Sequence, residues 1–570
     1  MQSSDRVTKP RNSWYKSLLG GALAIFIGVC LPGGTASARA AGGSTNTLAD
    51  LIATGSADPV LNLLVEKGMI TEEEANKVQA QVDARRTNMA AEYAGENSKW
   101  KISKDIKDME IFGDLRLRYE SRRETDPSGG RINLDRFRYA LRVGLRGDLV
   151  DDFYYGFRLE TSSNPRSSWV TMGTSSSGAP YSGPYGKSTA GLSVGQLYLG
   201  WQASPWLDFE LGKMPNPLYT SSMVWSPSIN PEGLAEKLEY TVGQMDFYIT
   251  CAQFLYQDEN PDSATRGLFG TGIGPSIGTS QGQEANNIVQ VAWEGGFKYR
   301  ILTNLSVKVE TVLYKYYGDK KSRSSQAISP YFGDYYVGEG AYLGTNYATL
   351  YPNGASGYNT LAGTLQPGYQ SLGYPNNQVG LDFLSVLEFP FEINYRFRNV
   401  DFRAFGDFAY NIQGDDRARQ AAKGYADFLN YEQTTLGLPV TVQPFKAQTH
   451  DVEAYEFGLA VGSKDAIGLV NGSVSKKHAW EARAYWQHIE QYSLDPNLLD
   501  LDYFAGAENL EGIYGAIAYG FNDNFIATLR YGYASRINHV LGTGGTGTDI
   551  QQINPINYYN LIQVDLTFKF

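Results

Sequence analysis

Beyond residue 41 this 570-residue chain has no apolar run long enough to cross a bilayer as a helix, yet short alternating segments recur almost to its last residue. A spanning helix needs roughly 20 consecutive apolar residues, so any membrane crossing has to be made by strands. In the final segment Ile562, Val564, Leu566, Phe568 and Phe570 share one face, and Gln563, Asp565, Thr567 and Lys569 the other. Successive side chains of a strand point to opposite sides, so this is one greasy and one wet surface. The same pattern occurs early, where Phe137, Tyr139, Leu141, Val143 and Leu145 alternate with Arg136, Arg138, Ala140, Arg142, Gly144 and Arg146. A soluble sandwich and a membrane barrel with a hydrated lumen both fit, because they differ only in what touches the apolar face.

Strands are predicted near 109–120, 131–147, 152–162, 192–203, 206–213, 233–241, 245–257 and 286–301, then 304–317, 383–397, 400–411, 455–463, 477–490, 508–519, 522–534 and 556–570. That is about sixteen, an even number within the range of outer-membrane barrels. The connections mostly alternate short with long. Val150-Asp151, Ala203-Ser204-Pro205, Thr303-Asn304, Asn399 and Asn522-Asp523 are tight, whereas 163–191, 258–285, 318–382 and 412–454 are long. Short periplasmic turns and long external loops belong to a membrane barrel, and 464–476 is the exception to the alternation. Pro390 removes a ladder hydrogen bond within a predicted strand, which predicts a bulge there.

The N-terminal stretch favours the membrane reading. Residues 1–41 read as an export signal: basic Arg6, Lys9, Arg11 and Lys16, an apolar stretch from Leu18 to Leu31, and small residues around Ala36-Ser37-Ala38-Arg39-Ala40. Residues 42–105 read as a periplasmic helical leader and linker, with Thr71-Glu72-Glu73-Glu74 as a capping box and Ala75, Val78 and Val82 as an apolar stripe. Residues 106–570 are then the barrel. Removing residues 1–40 takes the formal charge from -11 to -15, a poor balance for nucleic acid. Only Cys251 remains, so no intramolecular disulfide or cysteine metal cluster is expected. The four histidines show no paired spacing, and neither a metal nor a cofactor is expected.

Several segments carry a family resemblance. Leu61-Asn62-Leu63-Leu64-Val65-Glu66-Lys67-Gly68-Met69-Ile70-Thr71-Glu72-Glu73-Glu74-Ala75, Phe112-Gly113-Asp114-Leu115-Arg116-Leu117-Arg118-Tyr119-Glu120, Asp135-Arg136-Phe137-Arg138-Tyr139, Gly212-Lys213-Met214-Pro215-Asn216-Pro217 and Ile513 to Asn524 together resemble the bacterial "putative porin" family. The resemblance spans nearly the whole mature chain and implies an outer-membrane channel without naming its cargo. Trimers are common among porins of this strand number, so a homotrimer is what the analogy implies. The terminal Phe570, with Val564, Leu566 and Phe568 before it, resembles the signal read by the barrel-assembly machinery.

The expected fold is all-β: a transmembrane antiparallel barrel of about sixteen strands in outer-membrane lipid, with a short N-terminal periplasmic helical segment. Parity turns Arg116, Arg118, Arg136, Arg138, Arg142, Arg146 and Arg158 toward the lumen, with Asp114, Glu120 and Glu160 nearby and Glu388, Glu392 and Asp407 on later strands. These charges either set a field across a pore or pair across strands and stiffen the wall. Lys213, just before Met214-Pro215-Asn216-Pro217, is a pore-lining candidate if a loop folds inward there to narrow the channel, and part of a plain external turn if it does not. No GxSxG, P-loop or HExxH occurs, so no catalytic residue is assigned. His478 and His488 fall by parity on an outer face with Trp480 and Trp486, in an aromatic girdle. The expected function is passive diffusion of small hydrophilic solutes and ions. A substrate-specific channel, a structural or adaptor barrel around a partner, and an outer-membrane hydrolase are the alternatives.

Overall fold

A computed structural model describes residues 103, 105–125, 129–162, 167–173, 191–257, 288–318, 381, 383–420, 447, 449–539, 541, 543 and 556–570. The export signal and nearly all of the leader lie outside the described residues. The strands are β1 (Glu110–Thr125), β2 (Arg131–Asp148), β3 (Phe153–Ser162), β4 (Val170–Thr171), β5 (Gly191–Ser204), β6 (Leu207–Lys213), β7 (Glu232–Val242), β8 (Met245–Gln257) and β9 (Ile288–Leu302). They continue as β10 (Leu305–Tyr317), β11 (Ser385–Glu388), β12 (Phe391–Phe397), β13 (Val400–Asn411), β14 (Glu453–Ser463), β15 (Trp480–Ile489), β16 (Leu510–Gly520), β17 (Phe525–Arg536) and β18 (Tyr558–Lys569).

Each strand pairs antiparallel with its neighbours, and β1 pairs with both β2 and β18, so the sheet has no open edge. Fragments β11 and β12 form one stave, interrupted at Phe389-Pro390, and both lie against β10 and β13. The proline carbonyl still accepts from the Glu310 N–H at 3.1 Å, so the break is confined to the donor that proline lacks. The two-residue β4 pairs with β2 beyond the end of β3. Sixteen staves therefore close the barrel among the described residues.

The face pattern is that of a protein turned inside out. Glu120, Glu388, Asp407 and Gln563 are completely buried, while Phe137, Leu197, Leu459 and Ile517 are exposed by about 60% or more. Contiguous apolar surface on this scale is unfavourable in water, at roughly 25 cal/mol per Å², and marks contact with a membrane. Aromatic pairs occur near both ends of the wall. Phe153, Trp201 and Phe209 stack at 5.7 and 5.8 Å near the short turns, and Tyr119 lies 5.2 Å from Phe137 near the long loops. His488 joins the second group, stacked on Tyr455 at 4.6 Å on the outer face. His478 precedes the first residue of β15, and its ring nitrogen lies 3.0 Å from the Tyr519 hydroxyl.

One glycine is required by closure. A Cβ on Gly113 would stand 2.3 Å from the Arg142 carbonyl and 2.7 Å from the Phe570 ring, so the last residue can lie against β1 only if position 113 has no side chain. The long connection at the short-turn end, 464–479, tucks inward. Its Gly468 and Val470 N–H groups both donate to the buried Glu481 carboxylate at 2.9 Å, and Ala466 and Leu469 are fully buried.

Candidate pore and its inward loops

Register alone would make the first wall unstable. Arg118 stands directly opposite Arg138 on β2, and like charges facing each other across a ladder repel. Glu120 resolves this, with guanidiniums of Arg136, Arg122, Arg138 and Arg118 at 2.6, 3.1, 3.7 and 3.8 Å from its carboxylate. Arg118 also meets Asp565, its partner on β18, through Nε at 2.7 Å and Nη2 at 2.8 Å. Beyond β3 the chain returns as β4 and lays Trp169 over Arg118, 4.0 Å from guanidinium carbon to ring centre. Nearer the short turns Asp114 takes Arg116 and Arg142, both at 2.8 Å, and Arg158 meets Glu160 at 3.3 Å. Arg146 pairs with Glu110 at 2.7 Å in a half-exposed position.

Lys213 departs from the sequence expectation. It pairs in register with Leu197, which is 59% exposed on the outer face, and its ammonium bonds Glu232 at 2.7 Å. Cross-strand partners share a face, so Lys213 belongs to the outer rim and leaves the set of lumen residues. The segment after it, 214–231, does fold inward, with Met214 and Met223 fully buried.

That segment docks on a second wall, rich in carboxylates. The Tyr219 N–H donates to Glu294 at 2.6 Å, and the Thr220 hydroxyl to Glu388 at 2.6 Å. Tyr314 donates to the other Glu388 oxygen at 2.6 Å. Asp407 and Glu456 face each other in register beside this site, and Lys308 bonds Glu310 at 2.6 Å while lying 3.5 Å from the Tyr219 ring centre. Arg403 bonds Glu392 at 2.5 Å.

A second segment, 490–509, reaches in from between β15 and β16. Asp495 accepts from Tyr316 at 2.7 Å, and the Leu498 carbonyl accepts from the Ser226 N–H at 2.6 Å, so the two inward segments join. Farther along, Arg118 Nη1 and Nη2 donate to the two Asp502 oxygens at 2.5 and 3.1 Å, and Arg122 donates to the Leu501 carbonyl at 2.9 Å. A continuous strap thus runs from the arginine-rich wall to the carboxylate-rich one. Tyr503 fills the space between it and β15–β16, packed on Tyr485 and Tyr514, whose rings stack at 4.8 Å. Burial pushes the Asp500 carboxyl up to about 7, and the neighbouring Asp502 charge adds to the shift. Burial alone would raise Asp502 too, but the Arg118 guanidinium outweighs it and holds this carboxyl well below the usual range.

Parity counting could have found Glu294, Glu310, Glu456 and Asp565, since each lies on a predicted strand, and Arg122 had the first strand been carried on to Thr125. Trp169, Ser226, Asp500 and Asp502 carry no such signal, because only the folded loops bring them to the wall. Among the described residues no group of three or more His, Cys, Asp or Glu side chains is arranged to hold a metal ion.

A closed sixteen-stave barrel, apolar outside and charged within, is the architecture of a bacterial outer-membrane channel. The family model described as "Putative porin" matches residues 128–570, and the chain belongs to that family. It is a porin of the outer membrane. Solved structures similar to it include OmpF of Salmonella typhi in complex with daunomycin, at 10% identity and TM-score 0.38, covering 83% of this chain and 100% of that one. The outer-membrane channel DcaP of Acinetobacter baumannii matches at 9% identity and TM-score 0.36, over 82% and 99% of the two chains. An anion-selective porin from Comamonas acidovorans matches at 10% and 0.35, over 81% and 99%. None of the curated proteins compared matches the sequence.

Proposed function

We propose that this porin passes small hydrophilic solutes and ions by passive diffusion, and that the charge of its lumen wall and the strap of inward segments select among them. The carrying observation is the strap itself, which narrows a charged, hydrated interior without belonging to the wall. With the β15–β16 side filled by Tyr485, Tyr503 and Tyr514, we assign the passage to the side of the arginine-rich wall. Arg142, Arg158 and Glu160 border it, with Arg116 toward the short turns and Arg146 at their rim. Arg118, Arg136 and Arg138 are held by carboxylates and stiffen the wall as much as they charge it. No catalytic role is assigned to any residue.

Three copies assemble in the membrane. A depression on the outer face supports contact between copies, because Ala404, Ala482, Ala484 and Gly515 form its floor and small residues let neighbouring backbones approach closely. The outward-facing Val564, Leu566, Phe568 and Phe570 are read by the barrel-assembly machinery. The leader 42–105 stands in the periplasm after the signal 1–41 is removed.

Single-channel recording of the folded protein in a planar bilayer under a salt gradient tests the reading. Discrete steps smaller than an unobstructed sixteen-stave barrel would give are expected. Absence of steps from a barrel that still shows heat-dependent mobility on gels overturns it.

A further inference from the structure

Arg118 presents two bidentate edges. Its Nε–Nη2 edge is held by Asp565, a residue of the adjacent stave, and its face is covered by Trp169 just before β4, so partners other than Asp502 fix its plane and direction. The remaining Nη1–Nη2 edge meets Asp502, which comes from a connection rather than from the wall. The Arg118 side chain is 2% exposed and that of Asp502 is 32% exposed, so the carboxylate is the solvent-facing member of the pair. A guanidinium oriented by its neighbours, whose remaining edge is covered by a more exposed carboxylate from a connection, has the geometry with which arginine recognises a planar carboxylate.

We propose that this edge of Arg118 is a recognition site for solute carboxylates, occupied in the present arrangement by Asp502 as a tethered stand-in that an incoming carboxylate displaces. This rests on the porin reading for access to solute, but the site itself is defined by local contacts. No bond is made or broken: one carboxylate exchanges for another, and charge at Arg118 is conserved. Displacement takes the Asp502 side chain off β1, while Arg122 still holds the Leu501 carbonyl and Ser226 the Leu498 carbonyl, so the exchange moves one carboxylate and leaves the strap docked.

Acetate is the probe, with chloride as the spherical control. In bilayer recordings Asp502→Asn should lower the acetate concentration that half-blocks the chloride current by about tenfold or more, because a tethered competitor acts at an effective concentration in the millimolar range. Adding Arg118→Lys, which keeps the charge but removes the bidentate fork, should abolish that gain while preserving any anion preference. A current equally insensitive to acetate in the wild type and in Asp502→Asn overturns the proposal, and so does a gain that survives Arg118→Lys. Trp169 fluorescence gives a readout independent of conduction: acetate should change it in the wild type with a midpoint that Asp502→Asn shifts downward, and Trp169→Phe should remove the signal. Should the folded barrel not conduct, the porin reading fails alone, and the fluorescence titration still decides the site.

Discussion

The arginine-rich quarter formed by β18, β1, β2 and β3 and the carboxylate-rich quarter from β9 to β14 face each other, and they solve opposite problems in the same way. Around Glu120 four guanidiniums converge on one carboxylate, so positive charge is in excess, and Asp502 is brought in from a loop. Around Glu388 the nearest charged groups are acids, and the wall takes hydroxyl and N–H donors from residues 219–221. Neither wall satisfies all of its buried polar groups by itself, since Arg118 takes Asp502 and Glu388 takes Thr220 from the inward segments, and an unsatisfied buried group costs about 1–3 kcal/mol, more when charged. The inward segments are therefore bound by what each wall lacks.

The sharpest way to break the comparison is Glu120→Gln. It removes a carboxylate shared by four buried guanidiniums, of which Arg118 keeps Asp565 and Asp502, and breaking a buried ion pair costs about 3–5 kcal/mol. The expected result is a fall in the urea midpoint of the gel mobility shift large enough to prevent recovery of folded barrel. Next is Glu388→Ala, which leaves the Thr220 and Tyr314 hydroxyls without their acceptor and costs about 1–3 kcal/mol. It should loosen residues 219–221, which higher susceptibility of that segment to protease would report.

A smaller effect is expected from pH. Docked Asp500 faces Asp502, Arg118, Ser226 and the rings of Tyr485 and Tyr514, and its carboxyl is raised to about 7 from an ordinary value of 3.8. Docking therefore takes up a proton between those values, and its strength falls as pH rises through about 7. Asp502 has the opposite sign: its docked carboxyl is lowered, so its contribution is present above its ordinary value and fades as pH falls below it. Docking is therefore tightest at about pH 4, weakens as pH rises from there to about 7, and levels off above. Current should increase from about pH 5 to 7 and level off above, and Asp500→Asn should flatten that rise. The smallest change is expected from Arg146→Gln at the half-exposed pair with Glu110, where exposed pairs contribute about 0.2–1 kcal/mol. Urea midpoints should stay within that margin.

The staves were legible because lipid and lumen impose a period of two along every strand, but the bulge expected at Pro390 does not occur: its missing N–H interrupts the stave while the register with β10 and β13 is kept. The pore-lining option for Lys213 rested on the segment that follows it, which does fold inward, whereas its own register with Leu197 turns it out. The odd length of 464–476 was visible, but its inward tuck depends on Glu481 accepting two backbone N–H groups, which no periodicity encodes. The strap was illegible for the same reason: Asp502 and Arg118 lie 384 residues apart and meet only through a loop.

The seam between β1 and β18 bears on how the chain reaches this state. Asp565 follows Arg118 by 447 residues, and Gln563, which donates to Glu120 at 3.0 Å, follows its partner by 443. Until β18 arrives, the guanidiniums of β1 and β2 lack part of their counter-charge, and a half-built sheet leaves charged groups where closure would bury them. Contacts this distant in sequence slow folding, since the entropy of bringing the ends together is lost before the contacts form. Closure should thus be the late and cooperative step, and a partly paired barrel a poorly populated species, with Arg118 among the last side chains to find all of its partners.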